Sequence, residues 1–160
     1  MKKYKRITVY LALFFGVFGL DQLTKLWAVR ELMLRSIEVF PGLDFSLTFN
    51  RGVVFGIFSS NVPIYFWILT TVVISALILF LGYLVWRYRR GQSIILEILV
   101  AAGALSNIFD RFIYVGVVDF IDCYVGKVHW PNFNVADIFI VVGLLGIVIR
   151  ETFFGAKHES

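Results

Sequence analysis

The sequence predicts an all-α integral membrane protein: four transmembrane helices with a small extracytoplasmic β-sheet cradle between spans one and two. Three observations predict it. Of 160 residues, 59% are hydrophobic and only 16% are charged, whereas a soluble domain carries about 25% charged residues. Apolar stretches long enough to cross a bilayer as a helix, about 20 residues, recur along the chain. The basic residues cluster at the ends of those stretches, which is a pattern of membrane topology and not of nucleic-acid binding. The length leaves room for one membrane domain, residues 1–160, and for no separate soluble one.

The N-terminus reads Lys2, Lys3, Lys5, Arg6 and then an uncharged run from Ile7 to Leu20. A secretory signal peptide begins this way, but no small-x-small cleavage site follows and further spans come later, so a retained first span over about 7–29 is expected. Residues 30–60 are mixed. Ile37, Val39, Phe40 and then Phe45, Leu47, Phe49 alternate around the Pro41-Gly42 turn, as half-buried strands do. The stretch from Asn61 to Trp86 carries no charge, and Pro63 suits a first helical turn, so the second span is placed at about 61–86. A basic turn, Arg87 to Gly91, leads to a third span at about 93–113. Glu97 lies one turn into it, tolerated by the helix N-terminus or by snorkelling. A second loop, 114–133, precedes a fourth span at about 134–150.

Topology follows from charge. One side holds both termini and the 87–91 turn, with nine basic and three acidic residues. The other holds six basic and eight acidic, a balance of +6 against −2. Lys and Arg mark the cytoplasmic side. Both termini are therefore expected in the cytoplasm, with the loops 30–60 and 114–133 outside. Cys123 is the single cysteine, which excludes an internal disulfide. His129 and His158 show no ligand spacing, so no metal or other cofactor is expected.

Ionisable groups inside spans are costly and are functional candidates by default. Here Asp21, Asn107, Asp110, Arg111, Asp119, Asn134 and Asp137 all map to the outer ends of spans, with Asn50 and Arg51 just outside span two. Asp21 has Lys25 at i+4, the spacing of a local ion pair. Asp110 adjoins Arg111, and Asn107 reaches both, which suggests a support network. Asp122 is placed in a solvated loop. Asp119 and Asp137 differ, because neither has a basic residue within one helical turn. Asp119 lies in the apolar run Val117–Ile121, where an unpartnered acid is costly. For Asp137 a structural role is also available: Asn134 as N-cap and Asp137 at N3 form a capping arrangement. Two neighbouring carboxylates share one proton, so one accepts a proton from water while the other donates to a scissile carbonyl.

The same residues carry a family resemblance. Asp21-Gln22-Leu23-Thr24-Lys25, Asn50 to Gly56, Gly103 to Arg111, Val117 to Phe120 and Phe133 to Asp137 stand in order on four spans, and the chain resembles the lipoprotein signal peptidases (signal peptidase II) over nearly its whole length. The resemblance implies an aspartic endopeptidase with Asp119 and Asp137 as its dyad. It implies that Asn50, Arg51, Asn107, Arg111 and Asn134 position substrate or dyad, with Asp21, Lys25 and Asp110 in support. The implied partners are prolipoproteins whose lipobox cysteine carries diacylglycerol, and membrane lipids; a monomer in a bacterial inner membrane is expected. The family usually has Gly where Ala102 and Ser106 stand and Ala-Ala where Val53-Val54 stand, so altered packing is expected there. The rival readings are a small proton- or cation-coupled carrier, which should show polar groups on both sides and repeats, and a non-catalytic scaffold, which leaves the converging acids unexplained.

Overall fold

A computed structural model describes residues 3–52 and 63–154. Val53, Val54 and the rest of the motif that ends at Gly56 lie outside the described residues, as does the expected start of span two at Asn61. In chain order the elements are helix α1 (Lys3–Glu31), strands β1 (Ile37–Phe40) and β2 (Leu43–Asn50), helices α2 (Pro63–Arg89) and α3 (Ile95–Ile113), strands β3 (Val117–Val125) and β4 (Val128–His129), and helix α4 (Val135–Phe154). The helices outrun the expected spans mainly where basic flanks continue the helix, as at Arg30 and Arg87–Arg89.

Helix α3 is the hub. It packs against α1, α2 and α4, and it buries Ile98, Ala101 and Ala102. Small residues let α4 come close. A Cβ at Gly103 would lie 2.7 Å from the Ala136 carbonyl oxygen, and one at Gly143 would lie 2.8 Å from that of Leu96. Backbones approach in this way when association rests on packing and not on water exclusion. The outward faces stay apolar: Leu79, Phe109, Phe112, Leu145 and Val148 are all exposed. Two of the helices, α1 over Tyr4–Glu31 and α2 over Ile64–Arg89, are long and apolar enough to cross a membrane.

The four strands form one antiparallel sheet in the order β1-β2-β3-β4. It sits at the end of the bundle where α1 and α3 finish and α4 begins. Trp27 of α1, Phe45 of β2 and Phe120 of β3 meet in an aromatic cluster, with ring centroids 5.5 to 6.2 Å apart. This corrects the expected cradle, which draws only on residues 30–60. One of the two inner strands, β3, and the short β4 come from the second loop. Asp122 is also corrected. It lies on β3, buried, with the His129 Nδ1 3.0 Å from its carboxylate. Between α3 and β3, Val115 adopts φ 53°, a strained conformation for a β-branched residue. That sharp turn brings the Val118 N–H to the Asp110 carboxylate, 3.1 Å away.

At the opposite end of the bundle a second group of charges is buried. Glu97 is fully inaccessible. Its carboxylate takes Arg87 of α2 at 2.9 Å and Arg150 of α4 at 2.5 Å. Glu151 joins the same two guanidiniums at 2.8 and 3.1 Å. Glu97 keeps its expected place in the first turn of α3, but it is fully buried and so does not snorkel, and arginines from two other helices neutralise it.

Candidate active site

Asp119 sits on β3, and β2 supplies its first partner. The Asn50 Nδ2 donates to Asp119 Oδ2 at 3.0 Å, while the Asn50 Oδ1 accepts the Gly52 N–H at 2.9 Å. The second partner comes from the entry to α4: Asn134 Nδ2 donates to Asp119 Oδ1 at 2.7 Å. Asp137 stands one turn into α4. The capping box read from the sequence does form there, with the Asp137 N–H on Asn134 Oδ1 at 3.0 Å and the Asn134 N–H on Asp137 Oδ2 at 3.2 Å. Its other oxygen accepts Asn107 Nδ2 at 2.8 Å. Asn134 thus holds both acids, and capping and site roles coexist in Asp137.

Behind this layer lies a buried charged one. Lys25 Nζ lies 2.7 Å from Asp21, 2.8 Å from Asp110 and 2.7 Å from Asn107 Oδ1. Because the Asn107 oxygen faces the Lys25 ammonium and the Asn134 amide, its NH2 is turned towards Asp137. Asp21 Oδ1 accepts the Ala136 N–H at 2.7 Å, and Asp110 Oδ2 accepts the Val118 N–H. Each supporting acid therefore grips the residue immediately before one of the two site acids. Asp110 and its neighbour Arg111 diverge, since successive helical residues point about 100° apart. Arg111 turns to the Gly52 carbonyl and to Thr70 Oγ1, with its guanidinium 5.4 Å from the Phe66 ring centre.

The acids open on a cavity of about 510 Å³, lined at one end by Asn50, Asn107, Arg111, Asp119 and Asp137 and beyond them by apolar side chains such as Val73, Ala104 and Val141. It runs between α2 and α4, over α3. Burial pushes the Asp119 carboxyl up to about 7, helped by the charge of Asp137 and opposed by the amide donors of Asn50 and Asn134 and by the distant Lys25. A carboxyl that keeps its proton near neutral pH beside a second carboxyl is the arrangement that proton-shuttling hydrolysis requires.

A family described as Signal peptidase (SPase) II matches this chain over residues 13–153. The chain belongs to the signal peptidase II family. It is accordingly an aspartic peptidase of the membrane. A lipoprotein signal peptidase of Aquifex aeolicus (strain VF5) is 36% identical over 160 residues, covering 96% of this chain and 92% of that protein. One of Blochmanniella pennsylvanica (strain BPEN) is 38% identical over 138 residues, covering 82% and 81%. Among solved structures, a bacterial membrane enzyme determined by the in meso method at 2.3 Å resolution superposes with a TM-score of 0.73 at 28% identity, covering 96% of this chain and 94% of that one. These likenesses lend the carrier reading no support.

Of the residues singled out in the sequence of this signal peptidase II, Asn50, Asn107, Arg111, Asp119 and Asp137 meet at the cavity, and Asn134 lies just behind it. Asp21, Lys25 and Asp110 form the buried support. Arg51 is exposed and does not line the cavity. Two contributors are not apparent from sequence reasoning. Gln22 donates to Asp110 at 2.9 Å and to the Ser106 hydroxyl at 2.8 Å, and Ser106 donates to Asp21 at 2.7 Å. Ser106 is thus a hydrogen-bonding link and not merely added bulk. The signal for Gln22 is its place beside Asp21, a polar side chain inside an apolar span.

Proposed function

We propose that Asp119 and Asp137 are the catalytic dyad with which this signal peptidase II removes the signal peptide from prolipoproteins, cutting before a diacylglyceryl-modified lipobox cysteine. One observation carries the assignment. Both carboxylates open on one cavity and are held there by amide and backbone N–H groups, while the Lys25 ammonium is kept one layer back.

The dyad holds one proton. Its ionised member takes a proton from water as the water oxygen attacks the scissile carbonyl carbon. Its protonated member gives a proton to the carbonyl oxygen, forming a diol. When the C–N bond breaks, the new amine of the cysteine takes a proton from the dyad, and a diol hydroxyl gives its proton back to the dyad as it becomes the carbonyl of the new carboxyl group, so the dyad again holds one proton. The products are a signal peptide with a free carboxyl group and a lipidated N-terminal cysteine. Asn50, Asn134 and Asn107 fix the carboxylates, and Arg111 beside them offers donors to substrate carbonyls. The apolar cleft between α2 and α4 suits acyl chains and the entering signal-peptide helix.

The membrane reading extends to four spans. At 1.5 Å per residue, the 19 residues of α3 and the 20 of α4 reach about 30 Å, the thickness of a hydrocarbon core. Their exposed faces are apolar, as lipid contact requires. With the basic ends cytoplasmic, the sheet and the dyad lie at the extracytoplasmic face of a bacterial inner membrane, and the chain acts as a monomer.

The test is cleavage of a diacylglyceryl-modified lipobox peptide by the purified protein beside Asp119→Asn and Asp137→Asn. Each variant is expected to fold and to lose about 10³-fold or more in rate, because the two groups act as a unit. A variant that keeps a near-normal rate removes its residue from the dyad.

A further inference from the structure

The backbone of α2 comes close to that of α3, whereas α2 meets α1 and α4 through side chains, Tyr88 on Tyr10 and Arg87 on Glu151. The gap on the α4 side is the cleft described above. The gap on the α1 side is a second groove, of about 350 Å³, at the opposite end of the bundle. Its walls are Leu11 and Phe14 from α1 and Leu84 and Val85 from α2, and its floor is Ile94 and Ile98 at the start of α3. Groove-facing positions run along α1 from Ile7 to Phe15, about two turns of helix. The groove is almost wholly apolar.

One end of the groove is polar. Tyr10 and Tyr88 meet edge to face across it at 6.3 Å. Arg6 lies over both rings, at 5.9 Å from each, and donates to the Tyr10 hydroxyl and to the Gly91 and Gln92 carbonyls. Arg89 stands one turn beyond Val85 on the same face and is exposed. Arg87 and Arg150 are matched by Glu97 and Glu151. Among the described residues, neither Arg6 nor Arg89 forms an ion pair with a carboxylate. An apolar trough about two helical turns long that ends at the Arg6 guanidinium, with Arg89 on the helix face one turn past Val85, is complementary to a single-chain apolar body with an anionic head.

We propose that the groove between α1 and α2 binds one acyl chain of an anionic membrane phospholipid, with its phosphate at Arg6 and Arg89. The site is separate from the dyad, at the other end of the bundle, and does not depend on the assignment of the peptidase residues. It would fill the space that α1 and α2 leave over α3 and tie α2, one wall of the cleft, to the rest of the bundle.

The full-length protein, delipidated in detergent and re-exposed to phosphatidylglycerol or phosphatidylcholine, is read by native mass spectrometry and by cleavage assay. The wild type is expected to retain one phosphatidylglycerol under conditions that strip phosphatidylcholine. Arg89→Gln should cut that preference about fivefold. Leu11→Trp with Val85→Trp, two exposed rim positions, should abolish retention while cleavage continues. Equal retention of the two lipids overturns the proposal, as does an unchanged preference in Arg89→Gln or a bound lipid that survives filling of the groove. Should the double variant not fold, the exposed Arg89→Gln decides alone.

Discussion

The two ends of the helix bundle bury carboxylates in opposite ways. Around Glu97 the acids meet guanidiniums directly: Arg87 and Arg150 reach it from two helices, and Glu151 completes the set. Around Asp119 and Asp137 the contacts are amides and backbone N–H groups, and the Lys25 ammonium is spent on Asp21, Asp110 and the Asn107 oxygen. An adjacent guanidinium would hold a carboxylate ionised and leave it unable to carry a proton. Amides fix its position and leave its proton exchangeable. The difference separates acids that hold helices together from acids available for chemistry.

The largest effect that tests this contrast is at the paired end. Glu97→Gln leaves Arg87 and Arg150 with only the half-exposed Glu151 between them, so one positive charge loses its buried counter-charge. A loss of about 3–5 kcal/mol in unfolding free energy is expected, with cleavage per folded molecule close to normal. Thermal unfolding in detergent beside a cleavage assay checks both halves. A variant of ordinary stability would mean that the cluster is not what joins α2, α3 and α4 at that end.

At the site end the sign reverses. Asp119 titrates near 7 in the folded protein and near 3.9 when unfolded. Below about pH 4 both states hold the proton, and the group contributes nothing. As pH rises from 4 to 7 the unfolded chain releases its proton first, so stability falls across that window and then levels off. The penalty above pH 7 amounts to at most about 4 kcal/mol. Asp119→Asn should therefore match the wild type at pH 4 and be more stable than it at pH 8, even as the proposed dyad predicts that it loses activity. A wild-type rate that falls above pH 7, as the dyad loses its shared proton, is the activity counterpart. If Asp119→Asn is destabilised equally at both pH values, the amide cage does not hold a proton there.

Much of this contrast is legible in the amino-acid sequence itself. An acid in an apolar run is anomalous, and among such acids the absence of a basic residue within one helical turn sets Asp119 and Asp137 apart from Asp21 and Asp110. The span of α2 is legible because it carries no charge before Arg87. What the sequence hides, it hides for physical reasons. Strand β3 is buried on both faces over Val117–Phe120, so its sequence shows no alternation, and periodicity has nothing to report. Its place as an inner strand of the sheet, and the burial of Asp122, are hidden with it. Adjacency groups Arg51 with Asn50, yet successive residues of an extended chain point to opposite faces. Asn50 turns to Asp119, and Arg51 is left outside. The partners of Glu97 lie 10 and 53 residues away in sequence, beyond any local rule.

The smallest expected effect is at Ser106, where the two kinds of burial can be told apart most finely. Its hydroxyl donates to Asp21 at 2.7 Å and accepts from Gln22 at 2.8 Å in a fully buried setting. Ser106→Ala removes that link but leaves no partner stranded. Asp21 keeps Lys25 and the Ala136 N–H, and Gln22 keeps Asp110 and the Ser106 carbonyl. The cost should then be that of one net hydrogen bond, about 1 kcal/mol, read as a small drop in unfolding temperature with the rate and its pH profile unchanged. Asp21 positions Ala136, and Ala136 precedes Asp137, so a change in rate without a change in stability would mean that the hydroxyl, and not the Lys25 ion pair, sets where Asp137 stands.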